Sequence, residues 1–307
     1  MLLLAALAGM GFSLMGFAYR LGTGRGVSAI HILGVCGVVG AVVFGARALA
    51  GVGGAPPLVL GLAAAAGVTQ YATARLLRTA IRLGPLSPLW CVLMLGFIPV
   101  TAYAYAALGE APSAFQYAAV AAGVGCVVAA SLTQRAVPGP QGGAPAKEPH
   151  RLRYAALLVG LLLLNSVSNV CVKELATRPD GQGGTLMARF HDVFLAVLYV
   201  GIAASVAVRQ AAAREPLPPW RWTLLLGGMA AAGSVAGMSL LVRCAALPAA
   251  VVFTVNSVAS ILFTAVVAAV LLGETRTRSW YAALGCGVAA VVMANGHDIL
   301  EFLRRAA

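Results

Sequence analysis

Charge is scarce in this chain. Only 10% of its 307 residues are Asp, Glu, Lys or Arg, while 61% are hydrophobic and the mean hydropathy is +0.91. A soluble domain carries about 25% charged residues, so a water-facing surface cannot be covered, and a polytopic membrane protein is the class that remains. Lysine is nearly absent, with only Lys147 and Lys173. Arginine supplies most of the net charge of +12, in short connections between apolar runs where anionic headgroups and the insertion rule account for it. No basic run is interleaved with aromatics, which excludes a nucleic-acid partner. Cys36, Cys91, Cys126, Cys171, Cys244 and Cys286 stand singly inside apolar runs without CxxC or Cys/His spacing, so they read as small apolar filler and not as metal or redox ligands. There is no Ser/His/Asp, HExxH or P-loop pattern, and His31, His150 and His297 find no catalytic partners, so neither an enzyme nor a cofactor nor ATP coupling is expected. Period-2 alternation is missing as well, which excludes a β-barrel.

What is present is a duplication. LGEAPSAFQYAAVAAGVGCVVAAS at 108–131 and LGETRTRSWYAALGCGVAAVVMAN at 272–295 superpose without a gap. The alignment sets Leu108 on Leu272, Gly109 on Gly273, Glu110 on Glu274, Tyr117 on Tyr281 and Gly123 on Gly287; upstream it sets Leu83 on Leu247 and Leu77 on Leu241. Between the copies lies TQRAVPGPQGGAPAKEPHRL (133–152), too rich in proline to be a helix.

Apolar runs near the roughly 20 residues that cross a bilayer recur on both sides of this seam. The first half gives spans at about 1–18, 29–49, 58–78, 87–107 and 114–132, and the second at about 153–175, 185–208, 220–243, 248–271 and 279–296. Met1 is followed by leucines with no basic n-region, so the first run reads as a span and not a signal peptide. Pro99 is expected to kink the fourth span. The expected fold is therefore all-α with ten transmembrane helices. Residues 1–132 and 153–296 form two five-helix repeats, 133–152 is a linker and 297–307 a charged tail. Five spans per copy invert the second copy relative to the first, and inverted copies have two nearly equivalent ways to rock, which is the basis of alternating access.

Five helices per half, LGE before the last helix of each half, and an aliphatic span with a central proline before the first LGE together resemble the EamA-type drug/metabolite transporter superfamily, over most of the chain from Leu4 to Gly296. The second half departs from that pattern, with Phe263 where the alignment would place a partner of Pro99. The resemblance implies a central cavity lined by the third, fourth, eighth and ninth spans, with contributions from the first and sixth, and export of small metabolites, often amino acids or their relatives. The small multidrug-resistance relatives of the superfamily carry a carboxylate in their first helix; this chain has Ser13 and neutral neighbours there. Because a cation exporter needs a carboxylate at membrane depth, neutral, zwitterionic or anionic cargo is expected.

Mid-helix polar groups are the candidate substrate contacts: Gln70, Tyr71, Trp90, Asn165, Asn169, Ser234, Thr254, Asn256 and Ser257. The internal alignment sets Gln70 on Ser234, as a site on a pseudo-axis requires; hydrogen bonding between helices is the other use of such groups. Asp192, beside His191 and a turn from Arg189, reads either as a charge relay for a coupled proton or as an Arg/Asp pair neutralised at the interface. Glu110 and Glu274 stand just before helix starts, where a carboxylate satisfies orphan amides. Arg20, Arg75, Arg78, Lys173 and Arg243 lie toward span ends, as interface anchors or as anion-attracting vestibules. Gly233 and Gly237 form a GxxxG suited to close helix packing.

Arginine over lysine, with abundant Ala and Gly, is the usage of GC-rich coding and points to a bacterial cytoplasmic (inner) membrane. The ends after odd-numbered spans hold most of the arginines, which makes that side cytoplasmic by the positive-inside rule; the resemblance implies the opposite, with both termini inside. The function expected is a secondary transporter, an exporter of a small polar metabolite, acting as a monomer or weak homodimer in the lipid bilayer. The alternatives are a flippase for lipid-linked substrates, a non-transporting membrane subunit, and an integral-membrane enzyme.

Overall fold

The computed structural model describes residues 2–49, 54–109, 113–133, 151–213, 218–243, 249–274, 276–296, 299–301 and 304. Eleven helices follow in order: α1 Leu2–Thr23, α2 Ala29–Leu49, α3 Pro57–Leu83, α4 Leu86–Met94, α5 Phe97–Leu108, α6 Ala114–Leu132, α7 Arg151–Thr177, α8 Leu186–Ala213, α9 Trp220–Arg243, α10 Ala249–Leu271 and α11 Arg278–Ala294. Among the described residues, eight helical stretches are long and apolar enough to cross a membrane, with α4 and α5 counted together as Leu86–Leu108. Two shorter apolar stretches are Val255–Leu271 and Arg278–Ala294. The chain is an all-α, multi-pass membrane protein. Residues 134–150 of the linker and most of the tail lie outside the described residues, as does Glu110.

Local chemistry sets most helix ends. Pro57 opens α3, where a missing N–H costs nothing. The helix then runs five residues past the expected end at Arg78, to Leu83, and stops before Gly84-Pro85. Ser113 and Gln116 form a capping box at α6, and the Thr277 hydroxyl accepts from the Trp280 N–H at α11. The glycine of each LGE has the same task. Gly109 and Gly273 have φ of 70° and 61°, the left-handed conformation that ends a helix and that only glycine adopts without strain.

At Pro99 the outcome is a break. The Leu95 N–H turns back to the Val92 carbonyl (3.1 Å) and the Gly96 N–H to the Leu93 carbonyl (3.3 Å), and a new helix starts at Phe97. Pro99 then sits in the first turn of α5, where its missing donor is not needed. Phe263 lets α10 run unbroken through the aligned position.

Long-range contacts define the two ends of the bundle. At one end Arg20, closing α1, donates to the carbonyl of Ile81 near the end of α3 (2.6 Å), and Tyr154, near the start of α7, lies over Gly84. At the other end Arg47, closing α2, meets Asp192 near the start of α8 (3.5 Å) and Ser239 of α9 (3.4 Å). His31 near the start of α2 bonds Gln210 near the end of α8 (3.1 Å), so α2 and α8 pack antiparallel. The pair α6 and α11 does the same, with Gly287 against Cys126 in the middle and Gly296 against Phe115 at the end.

Glycine permits the closest approaches, since in lipid helix association rests on packing. A Cβ on Gly233 would fall 2.2 Å from the carbonyl oxygen of Gly11, and one on Gly9 would fall 2.1 Å from that of Asn256. Gly233 and Gly237 thus do seat α9 against α1. Two clusters of buried apolar residues result, one around Trp90 and Leu89 of α4, the other around Phe194 and Tyr199 of α8.

The α7–α8 turn supplies a pH test. The Asp180 carboxylate accepts from the Gln182 N–H (2.8 Å) and the Gly184 N–H (2.9 Å), and these bonds hold its pKa below the ordinary aspartate value. A depressed folded-state value means the turn is stabilised above the unfolded pKa of about 3.9 and loosens as pH falls through the lower, folded one. In an amide NMR titration, Gln182 and Gly184 should shift together with a midpoint below 3.9; a midpoint at or above it would contradict the arrangement.

Candidate functional site

Among the described residues, two polar groupings inside the bundle involve α4. The first joins α1, α4 and α10. Ser13 Oγ lies 2.9 Å from Ser260 Oγ and 3.0 Å from the Ser260 and Gly9 carbonyls, and the Trp90 indole N–H donates to Ser260 Oγ at 2.9 Å. Trp90 is only 2% exposed, and its ring covers Gly16, where any side chain would collide. A buried indole needs an acceptor, and the paired hydroxyls provide one. Asn256 sits one turn before Ser260, buried, and its Oδ1 has no hydrogen-bond partner among the described residues; Thr264, one turn after, is in the same position with its Oγ1. Ser257 is half-buried on the neighbouring face, and the side chain of Thr254 lies outside the described residues.

The second grouping joins α3 and α7 at the α4–α5 break. Gln70 Nε2 donates to Ser168 Oγ (3.1 Å) and to Asn165 Oδ1 (3.5 Å), while Asn165 Nδ2 donates to the Leu93 carbonyl at the end of α4 (3.1 Å). Asn169 is exposed and faces Gly96, where an added Cβ would meet its Nδ2 at 2.8 Å. Amide donors, amide acceptors and a backbone carbonyl on an interrupted helix are what a neutral or zwitterionic polar solute can exchange bonds with. Irregular backbone at membrane depth is tolerated where it lines a cavity or is buried in protein.

The other sequence candidates go elsewhere. Tyr71 points about 100° around α3 from Gln70, half-buried and away from the amide cluster. Ser234 is buried against α8, 2.6 Å from the Tyr199 hydroxyl, whose ring stacks on Phe44 at 5.7 Å. Asp192 takes Arg47 of α2 as its ion partner, with His191 Nδ1 at 3.6 Å; the 3.5 Å approach of Arg47 is close enough for an ion pair but makes no directed hydrogen bond to Oδ1. Arg189 lies instead over the Phe190 ring at 5.2 Å, next to a bend where Phe190 leaves helical geometry (φ −112°, ψ 21°). Asp192, His191 and Arg189 therefore do not come together as one relay.

Glu274 bridges the two halves. Its Oε1 accepts from the Leu86 N–H, and its Oε2 from the Ser87 N–H (3.3 Å) and the Ser87 hydroxyl (2.7 Å). A carboxylate before a helix start was expected to serve orphan amides. It does, but the amides belong to α4 in the first half, while α11 is capped by Thr277.

Sequence reasoning passed over Ser260, Ser168 and the Leu93 carbonyl. Spacing would have found the first two: Ser260 follows Asn256 by four residues and Ser168 follows Asn165 by three, each pair on one helix face. Nothing in the sequence singles out the carbonyl.

No family model matches the chain, and no curated protein does. Among solved structures of similar fold, one described simply as the crystal structure of a protein superposes with a TM-score of 0.59 at 16% identity, over 94% of this chain and 97% of that one. The likeness is one of fold.

Proposed function

We propose that this protein is a secondary transporter of small polar metabolites, an exporter in a bacterial cytoplasmic membrane, built as two inverted five-helix repeats in the manner of the EamA-type drug/metabolite transporters. In this reading α4 and α5 form one pass, α10 and α11 each make a pass, and the chain crosses ten times. The observation that carries it is the antiparallel packing of aligned helices, α2 with α8 and α6 with α11. Two further pairs of contacts exchange under the same operation: α1 with α9 answers α3 with α7, and α2 with α9 answers α3 with α8. An approximate two-fold axis in the membrane plane generates such a pattern, and it supplies the two alternative rocked states.

The cargo contacts in this proposal are Gln70, Asn165, Asn169 and the Leu93 carbonyl at the α4–α5 break, together with the unpartnered Oδ1 of Asn256 on α10. The interior polar groups named in these contacts are neutral, which supports neutral or zwitterionic cargo over lipophilic cations. A proton is the candidate coupling ion. Purified protein in liposomes, tested for uptake across amino acids, sugars, nucleosides and organic phosphates, tests the reading; failure to move any of them would sink it. Gln70→Leu is expected to lower uptake of the accepted solute at least tenfold while leaving the melting temperature within a few degrees. Unchanged uptake would remove Gln70 from the path. A reporter fused at Ala307 fixes the orientation.

A further inference from the structure

We propose that the outer face of α3, toward the Arg20 end of the bundle, binds the headgroup of an anionic phospholipid through Arg75, Arg78 and Arg82. The proposal needs only that the chain lies in a bilayer and is independent of transport.

Among the described residues none of these three guanidinium groups pairs with a carboxylate or covers an aromatic ring. Elsewhere Arg47 meets Asp192, Arg178 meets Glu174, and Arg25, Arg189 and Arg221 lie over Trp222, Phe190 and Trp220. The three also neighbour one another at i, i+3 and i, i+4, where like charges repel unless an anion lies between them. Side chains at that spacing spring from Cβ atoms about 5–6 Å apart, close enough for two guanidinium forks to reach the oxygens of one phosphate. Depth adds to the demand. Arg75 stands only about 7.5 Å along the axis from Gln70, the midpoint of α3, so its backbone lies well inside the span. An arginine there needs either a partner or a route to the interface.

The rest of the face suits a lipid better than a soluble anion. Leu60, Ala64, Val68, Tyr71, Arg75, Arg78 and Arg82 fall within a sector of about 80° on the helix. Leu60 is 40% and Val68 53% exposed, Ala64, Arg75 and Arg82 are exposed, and Tyr71 is half-buried between the two regions. An exposed apolar strip leading through a tyrosine to an arginine ladder matches an acyl chain leading to its phosphate. The alignment sets Val235, Ser239, Val242 and Ala246 opposite Tyr71, Arg75, Arg78 and Arg82, so the second half carries no copy. The site therefore serves one leaflet.

The test compares melting of the purified full chain in neutral detergent with added phosphatidylglycerol, phosphatidylcholine or glycerol phosphate. Phosphatidylglycerol is expected to raise the midpoint by about 3–6 °C at tenfold saturation and the other two by little. R75Q/R78Q/R82Q should lose most of that increment, and the control R276Q/R278Q should keep it. Equal effects of the two lipids, an increment that survives in the triple variant, or the same increment from glycerol phosphate alone would overturn the proposal. Should the triple variant fail to fold, native mass spectrometry of the single variants decides: weaker phosphatidylglycerol retention supports the site, and unchanged retention in all three sinks it.

Discussion

Glu274→Ala is expected to lower the melting midpoint by about 6–12 °C in detergent, corresponding to about 3 kcal/mol. The carboxylate is the acceptor for two first-turn amides and one hydroxyl of α4, a helix whose preceding residue, Pro85, makes no side-chain cap. Eight residues of α4, Leu86 to Leu93, are buried, which restricts water's access to the amides left without an acceptor. Orphaned buried donors cost more than a typical cap, which is worth about 1 kcal/mol. Charge adds to the effect, because an anion at a helix N-terminus faces the positive end of the dipole. Glu274→Gln keeps one acceptor and should fall between. Thr277→Ala removes only the local cap of α11 and should cost about 1 kcal/mol. If Glu274→Ala and Thr277→Ala melt alike, the bridge contributes nothing beyond an ordinary cap.

Gly233→Ile is expected to cost about 3 kcal/mol or to prevent assembly. The atom it would strike is the backbone oxygen of Gly11, and no side-chain rotation relieves a 2.2 Å contact with backbone. Helices α1 and α9 would have to separate, and in lipid nothing but packing and hydrogen bonds holds them. Gly228, on the same helix with open space around it, is the internal control: Gly228→Ala should be neutral or stabilising by up to about 1 kcal/mol. Equal expression and melting of Gly233→Ile and Gly228→Ala would show that the close approach is not needed.

The all-α, multi-pass character of the chain was legible in the sequence, because a run of apolar residues long enough to cross lipid has few alternatives. The break at Leu95-Gly96 was legible as a disturbance at Pro99 but not in its position, since the three-residue offset depends on which carbonyls find new donors. What a chain does not disclose is the partner of a polar group. Glu274 stands next to α11 in sequence and serves α4; Asp192 stands next to Arg189 and pairs with Arg47. Trp90 offers an indole whose acceptor, Ser260, is 170 residues away. In each case the alternative was local and plausible, and tertiary packing decided between them. The amide cluster around Gln70 was half legible: Gln70, Asn165 and Asn169 stood out by polarity, whereas Ser168 and the Leu93 carbonyl are ordinary until the helices are assembled.

The bridge from Glu274 to α4 also sets an order in time. Ser87 and its carboxylate partner are 187 residues apart. At about 5–20 residues per second, the ribosome delivers the acceptor roughly 10–40 s after the donors. Through that interval the first turn of α4 stays unfinished, so the nascent first half waits in the membrane for a group encoded 187 codons downstream.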